Sequence, residues 1–189
     1  MANVDRPGGF LPVGHLQTGS YNGQAREYRV ASAYATALMV GDPVKLTGTA
    51  DATDGVATVE QAAAGDTMVG VITGIKVDRA TAATEYPGYI PASTGGTVYV
   101  CDDPYVIFEA QEDGTSAVTV VGNTFDHLMT AGDTTTGRSN AEIDSSDIGN
   151  GAGWVILGYS RRNDNEIGEH AKMLVMIAEH SFKAAVAGV

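Results

Sequence analysis

The segment CDDPYVIFEAQEDG, Cys101–Gly114, comes closest to a pattern with catalytic chemistry, because five carboxylates surround its apolar run. A general acid and base pair needs two carboxylates about 5–10 Å apart across a substrate cleft. A calcium loop needs acidic side chains at alternating positions with a glycine bend. Neither DDPY nor QEDGTS has that calcium-loop spacing, and nothing in the segment builds a cleft.

The alternation of this segment gives a simpler interpretation of its acids. In the run YVIFEAQ, Glu109 should point away from the face that buries Phe108, because neighbouring strand residues face opposite sides. Asp103 precedes Pro104 at the start of the run, and the letters EDG follow it as a turn would. We therefore expect the acids to bracket a β-strand. A weak surface cation site and a catalytic pair are the alternatives.

Other reactive residue types also lack a functional spacing. The histidines His15, His127, His170 and His180 never occur at i, i+3 or i, i+4, so a zinc site would need ligands from distant segments. Cys101, the only cysteine, ends the apolar run TVYVC and is predicted to be a buried, inert thiol. GxSxG, GxxxxGK[ST] and a post-strand GxGxxG are absent. The sequence predicts no catalytic residue, no metal ligand and no cofactor.

Two alternative functions each require a particular arrangement of side chains. A glycan-binding or host-adhesion module would use aromatic platforms, and it requires a solvent-facing Trp154 beside other aromatic residues. Trp154 heads the run WVILGY, so we expect a core or edge aromatic instead. A hydrolase requires Glu109 to face Asp102 or Asp103 inside a pocket.

Charge and composition restrict the class of partner. Lys and Arg number 11 against 23 Asp and Glu, a net charge of -12. The adjacent basic pair Arg161–Arg162 is followed at once by Asp164, so nucleic acid is not an expected partner. The single cysteine suits a reducing cytoplasm. The N-terminus has no apolar signal region, and no stretch approaches the roughly 18 apolar residues of a membrane span. We expect a soluble protein.

The elements that must position these residues are predicted to be β-strands. Short apolar runs rich in threonine and valine alternate with turn residues, and the chain has 24 glycines. AKMLVMIAEH is compatible with a short helix, but a strand buried on both sides is preferred. Gly70 and Gly74, inside another run, indicate a bend, a bulge or a close backbone approach. The predicted strands are Gln24–Ala31, Pro43–Thr47, Thr67–Val77, Thr97–Cys101, Tyr105–Gln111, Ala117–Val121, Trp154–Arg161 and Ala171–Glu179.

Two regions depart from the strand pattern. QAAAGD, Gln61–Asp66, is predicted to be a helical turn or a loop. The polar passage 122–153 is too long for a hairpin loop, so it is predicted to be an excursion with minor structure or a surface lobe. We thus predict an antiparallel jelly-roll-like sandwich or barrel over residues 21–189, with an extended arm over residues 1–20.

The arm, MANVDRPGGFLPVGHLQTGS, contains five large apolar side chains. Their burial would contribute roughly 8–15 kcal/mol, whereas fixing the arm's backbone costs roughly 20–40 kcal/mol. Side-chain contacts alone therefore cannot hold the arm. It must pair along a sheet edge, its own or a neighbour's, or remain loose.

Six strings together resemble a family of tailed-bacteriophage virion proteins described as capsid decoration, or head cement, proteins. They are ANVDRPGGFLPVGHL, GDPVKLTG, QAAAGDTMVGVITG, CDDPYVIFEAQED, TTTGRSNAEIDSS and RRNDNEIGEHAKMLVMIAEH. The similarity covers nearly the whole chain in order and is weakest between Ala80 and Gly96.

This resemblance implies a non-enzymatic protein that coats the exterior of the virion capsid and locks contacts between capsomers. It is made in the host cytoplasm, and its partners are the major capsid protein and itself, as a homotrimer or alternatively a homodimer. Arms in such proteins often reach a neighbouring subunit. We therefore predict partner contacts by Arg6, Phe10, Leu11, Val13 and Leu16, and expect that deleting residues 2–18 would leave a folded core unable to coat shells.

Overall fold

The computed structural model describes residues 3–17, 19–76 and 88–183. Within these ranges the chain forms thirteen strands and one short 3-10 helix. The strands are β1 (Leu11–His15), β2 (Gly19–Ser20), β3 (Arg26–Val30), β4 (Pro43–Ala50), β5 (Ala57–Gln61), β6 (Gly70–Lys76), β7 (Gly96–Cys101), β8 (Val106–Gln111), β9 (Thr124–Phe125), β10 (His127–Leu128), β11 (Glu142–Ile143), β12 (Trp154–Tyr159) and β13 (Lys172–Ile177), and the 3-10 helix is Val118–Val120.

The strands form two main units. Strands β3, β5, β4, β6 and β7 close into a barrel, and a six-stranded antiparallel sheet has the order β2-β1-β8-β13-β12-β9. β10 and β11 form a separate small ladder. The chain therefore begins in the sheet, builds the barrel and then returns to the sheet. The all-β class with antiparallel sheets is confirmed, while the jelly-roll topology stays a prediction.

Each unit has its own hydrophobic core. The barrel core is mainly aliphatic, whereas the sheet core is centred on the fully buried Trp154. Phe10 stacks on this indole with ring centroids 4.0 Å apart, and Phe108 meets it edge-on at 5.7 Å. Trp154 Nε1 donates a hydrogen bond to His127 Nδ1 at 3.2 Å, which satisfies the only polar group of the indole. The prediction of a core aromatic is confirmed.

A glycine contact connects the sheet to the barrel. Gly9 and Gly41 both adopt positive φ, +72° and +98°, and a Cβ on Gly9 would lie 2.6 Å from the Gly41 carbonyl oxygen. Phe10 N donates to that same oxygen at 3.0 Å. Only glycine permits so close an approach of two backbones in these conformations. The contact directs Phe10 into the sheet core.

Seven of the eight predicted strands correspond to β3, β4, β6, β7, β8, β12 and β13, with ends that differ by a few residues; Val77 lies outside the described residues. The strand predicted over Ala117–Val121 is wrong. Val120 N donates to the Ala117 carbonyl, and this turn closes a 3-10 helix. Strand β5 was not predicted, and the loop interpretation of the segment after it is correct because Asp66 N donates back to Ala63.

The remaining local predictions hold. The passage 122–153 contains β9, β10 and β11, and Phe125 from it is buried in the sheet core. Gly70 lies against Cys101, where a Cβ would be 2.1 Å from the carbonyl oxygen, and the β6–β7 register shifts between Ile72 and Gly74. The described ranges contain no helix with the length and apolarity of a membrane span.

Candidate docking face

Glu109 lies on the side of β8 opposite Phe108, as the alternation predicts. Its carboxylate accepts a hydrogen bond from the Ser160 hydroxyl and forms an ion pair with Arg162 at 3.1 Å. These two partners cover it, so Glu109 is buried although it faces outward from the sheet core. No spacing in the sequence predicts this trio, because about fifty residues separate Glu109 from its partners.

The two acids before β8 tie segments together. Asp102 accepts a hydrogen bond from the Tyr28 hydroxyl at 2.8 Å and forms an ion pair with Arg26 at 3.2 Å. Burial, followed by the hydrogen bond to Asp102, raises the pKa of Tyr28. Asp103 lies 3.0 Å from His15 Nε2 and accepts the Tyr105 amide at 2.9 Å. Asp103 therefore fastens β1 to the start of β8.

The carboxylate pair of the hydrolase alternative is not assembled. Glu109 lines a groove beside the N-terminal segment, whereas Asp103 lines a separate depression of about 190 Å³. Ser20 and His15 share that depression with Asp103, but Gln17 N donates to His15 Nδ1 at 3.1 Å. Because both ring nitrogens of His15 have partners, neither is placed to activate the Ser20 hydroxyl.

In the described part of the chain, no side chains are arranged to bind a metal, and the thiol is not activated. No group of three or more His, Cys, Asp and Glu side chains there could hold a metal ion. Cys101 is buried, as predicted, and burial raises the pKa of its thiol to about 11. The Cys101 side chain is therefore a neutral thiol at pH 7.

The side of the six-stranded sheet opposite the aromatic core carries apolar residues that belong to neither hydrophobic core. The register places Leu174 opposite Glu109 and Met176 opposite Val155, so these residues share one side. We call this surface the outer face. Its apolar residues are Leu11, Ile107, Val155, Leu174 and Met176.

The outer face is unusual for an antiparallel sheet. Such sheets commonly bury one apolar face and expose a polar one. Here the inner residues Phe108, Val175 and Ile156 are buried, and their outer neighbours are apolar yet still partly accessible. Contiguous apolar patches of this kind mark protein interaction surfaces. For AKMLVMIAEH the predicted strand is confirmed as β13, but burial on both sides is not, because Leu174 and Met176 are only partly buried.

The N-terminal segment extends the outer face to an edge of the sheet. β1 pairs with β8 along its length, whereas β2 pairs only with Gly14 and His15. Leu11, Val13 and Leu16 are 36%, 45% and 55% exposed. These three residues therefore present apolar surface along one margin of the sheet.

The predicted partner residues divide into two groups. Arg6 is exposed, together with the three apolar residues of the sheet margin, so these four are accessible to a partner. Phe10 is fully buried against Trp154, which removes it from any contact surface. The arm lies along its own sheet edge. Deleting residues 2–18 would therefore remove a core side chain, and point substitutions are the sound test of binding.

Comparisons with protein-family models, curated proteins and solved structures gave no match for this chain. The evidence for function therefore comes from the geometry of the outer face and from the resemblance of the sequence strings.

Proposed function

We propose that this protein is a structural component of a bacteriophage virion that binds the outer surface of the capsid and stabilises contacts between capsomers. The observation behind the proposal is the outer face, an apolar sheet surface that belongs to neither core of the chain and that continues into the exposed residues of β1. A protein that acts by covering such a surface needs no reactive centre. The major capsid protein is its proposed partner.

Self-association is part of the proposal. A homotrimer, or alternatively a homodimer, would contact several shell sites at once, so each copy needs only modest affinity. The glycan-binding alternative has less support, because Trp154 is buried inside the sheet core instead of facing solvent.

The proposal is tested by co-sedimentation of the purified protein with expanded capsids that lack it. A charge on the outer face, in the variant Leu174→Glu, should weaken coating by at least about tenfold, because the carboxylate would have to be desolvated in the contact. Val118→Glu is the matched control, since Val118 is an exposed apolar residue of the 3-10 helix outside the outer face.

Both variants should keep the wild-type circular dichroism spectrum, and Val118→Glu should also keep the unfolding midpoint. The midpoint of Leu174→Glu should fall, because its carboxylate lies opposite Glu109, so coating is measured at a temperature where this variant is folded. Coating by Leu174→Glu that equals wild-type coating, or a wild-type protein that does not sediment with capsids, would contradict the proposal. Sedimentation equilibrium of the free protein distinguishes a trimer from a dimer.

A further inference from the structure

A groove of about 580 Å³ beside the N-terminal segment concentrates positive charge in an acidic protein. Its lining takes four of the 11 Lys and Arg residues of the chain, and they come from four separate segments. We call it the basic groove. Its cations are Arg6, Arg138, Arg162 and Lys172.

Three of these four cations, Arg6, Arg138 and Lys172, form no ion pair with another described residue. Arg162 is engaged by Glu109 at 3.1 Å and by Asp164 at 2.9 Å. Within residues 3–17, 19–76 and 88–183, the exposed Arg6 and Arg138 side chains form no ion pair. Two unpaired guanidinium groups in one groove are notable in a chain with 23 acidic residues.

The acids that line the groove are hydrogen-bonded to other groups and form no ion pair with Arg6 or Arg138 among the described residues. Asp133 accepts the Thr135 amide at 2.8 Å and the Thr136 hydroxyl at 2.9 Å, which ties it into its own turn. Glu109 is committed to Ser160 and Arg162. Carboxylates from another molecule are therefore the natural partners of Arg6 and Arg138.

The wall of the groove between the cations is partly apolar. Pro7 and Leu11 contribute to it, and Leu11 also belongs to the outer face. A ligand here meets separated positive charges with apolar surface among them. That arrangement matches a polypeptide whose carboxylates flank an apolar side chain, since a guanidinium binds a carboxylate through two parallel hydrogen bonds.

We propose that the basic groove binds an extended acidic segment of a partner protein, with Arg6 and Arg138 as the residues that recognise its carboxylates. This goes beyond coating of a shell, because it specifies a charge pattern that any partner must present. The net charge of -12 repels an acidic ligand only at long range, where salt screens it beyond about 8 Å.

A nucleic acid is the less suitable ligand. Binding to a phosphate backbone requires many neutralised phosphates in succession, whereas this groove offers two uncommitted guanidinium groups among acids that are already paired. A single-stranded oligonucleotide is therefore included as a competing probe.

The experiment measures fluorescence anisotropy of a labelled peptide, Gly-Glu-Leu-Glu repeated twice, at low and physiological salt. The full chain should bind it, and a peptide with Gln in place of every Glu should bind at least about tenfold more weakly. The double variant Arg6→Gln, Arg138→Gln should lose about tenfold or more in affinity.

The matched control is the double variant Lys45→Gln, Lys76→Gln, which removes two cations from the barrel and changes the net charge equally. It should bind the acidic peptide within about twofold of wild type after salt screening. An unfolding curve for each variant confirms that the fold is retained.

Three results would overturn the assignment. They are no binding of the acidic peptide by the wild-type chain, equal affinity in the wild type and the Arg6, Arg138 variant, and binding of an oligothymidylate at least as tight as that of the peptide. The assay uses no capsid, so its failure is distinct from failure of the coating experiment.

Discussion

The barrel and the sheet of this protein differ in the side chains that they expose. The barrel closes on itself through β3, β5, β4, β6 and β7. Its outside carries ion pairs such as Lys45–Asp66 at 2.9 Å and Lys76–Glu27 at 3.2 Å. The sheet stays open, has apolar residues on both sides and buries several acids. The outside of the barrel carries paired charges, whereas the outer face of the sheet is apolar and partly accessible.

The surfaces proposed for binding all belong to the sheet unit. Closure removes the edges at which other chains could add, and a charged exterior keeps the barrel in solvent. The outer face, the sheet margin at β1 and the basic groove all lie on the sheet or beside it. Three perturbations test whether the two units differ as described.

The largest expected effect comes from Phe10→Ala. Loss of a ring stacked on Trp154 leaves a cavity in the sheet core, and the free energy of unfolding should fall by about 3–5 kcal/mol. Leu11→Ala is the control, since this neighbouring side chain is partly exposed and should cost less than about 1 kcal/mol. Denaturant unfolding measures both variants.

Hydrogen exchange makes the Phe10→Ala test specific to the sheet. Amides of β8 and β13 should lose more protection than those of β7. Equal loss across both units would mean that barrel and sheet unfold as one cooperative body, and the distinction between them would be weaker than their architecture suggests.

His180 gives the next largest effect, at the connection between the units. It bridges to Met68 and is fully buried, and burial lowers its pKa to about 4, with Lys183 adding to the shift. Because the unfolded chain binds the proton more readily, stability conferred by neutral His180 is present above pH 6.5 and is lost as pH falls towards 4.

Between pH 6.5 and pH 4 the free energy of unfolding of the His180→Gln variant should therefore fall less than that of the wild type, by on the order of 2–3 kcal/mol. Chemical denaturation at several pH values measures it. The charges facing His180 are Lys183, Asp102 and Asp103, and their own titration is common to both proteins. Parallel pH profiles for variant and wild type would exclude His180 as the source.

The smallest effect is expected from Glu112→Gln. Burial raises the pKa of Glu112, whose Oε1 has no hydrogen-bond partner among the described residues, while Ser116 donates to Oε2. An acid with a raised folded-state pKa loses stability as pH rises above its unfolded value, so the glutamine variant should be more stable at pH 7 by up to about 1 kcal/mol.

The variant Glu60→Gln, in the barrel, is the control for Glu112→Gln. Glu60 is paired with Lys45 at 3.4 Å and is partly exposed, so its loss should alter stability by less than about 0.5 kcal/mol. A destabilised Glu112→Gln variant at pH 7, measured by thermal or denaturant unfolding, would show that the carboxylate is a net stabilising group in the sheet.

Local patterns were sufficient to predict most strands and some of the packing. Alternation located β8 and the orientation of Glu109, and the position of Trp154 in an apolar run indicated burial. β5 was missed because ATVEQ is short and partly polar, and its pairing with β4 and β3 is a tertiary effect. The valines around Val120 favour a strand by composition, yet a local turn and solvent exposure decide otherwise.

The candidate site was predicted only in part. Arg6 and the exposed apolar residues of β1 were identified from the composition of the N-terminal segment. Phe10 was wrongly grouped with them, since a single strand pattern does not reveal which side faces the core before its partner is known. The basic groove collects Arg138 and Lys172 from distant segments, so no spacing in the sequence could predict it.

Because β1 pairs with β8, the N-terminal strand can join its sheet only late in synthesis. Leu11 cannot meet Glu109 until the entire barrel has left the ribosome, a delay of about 5–20 seconds at typical translation rates. During that interval Phe10, Leu11 and Val13 have no sheet to join, and the barrel can close only near the end of the interval, once β7 has emerged. The apolar side chain of Phe10 therefore stays uncovered in the nascent chain until β8 and β12 enclose it.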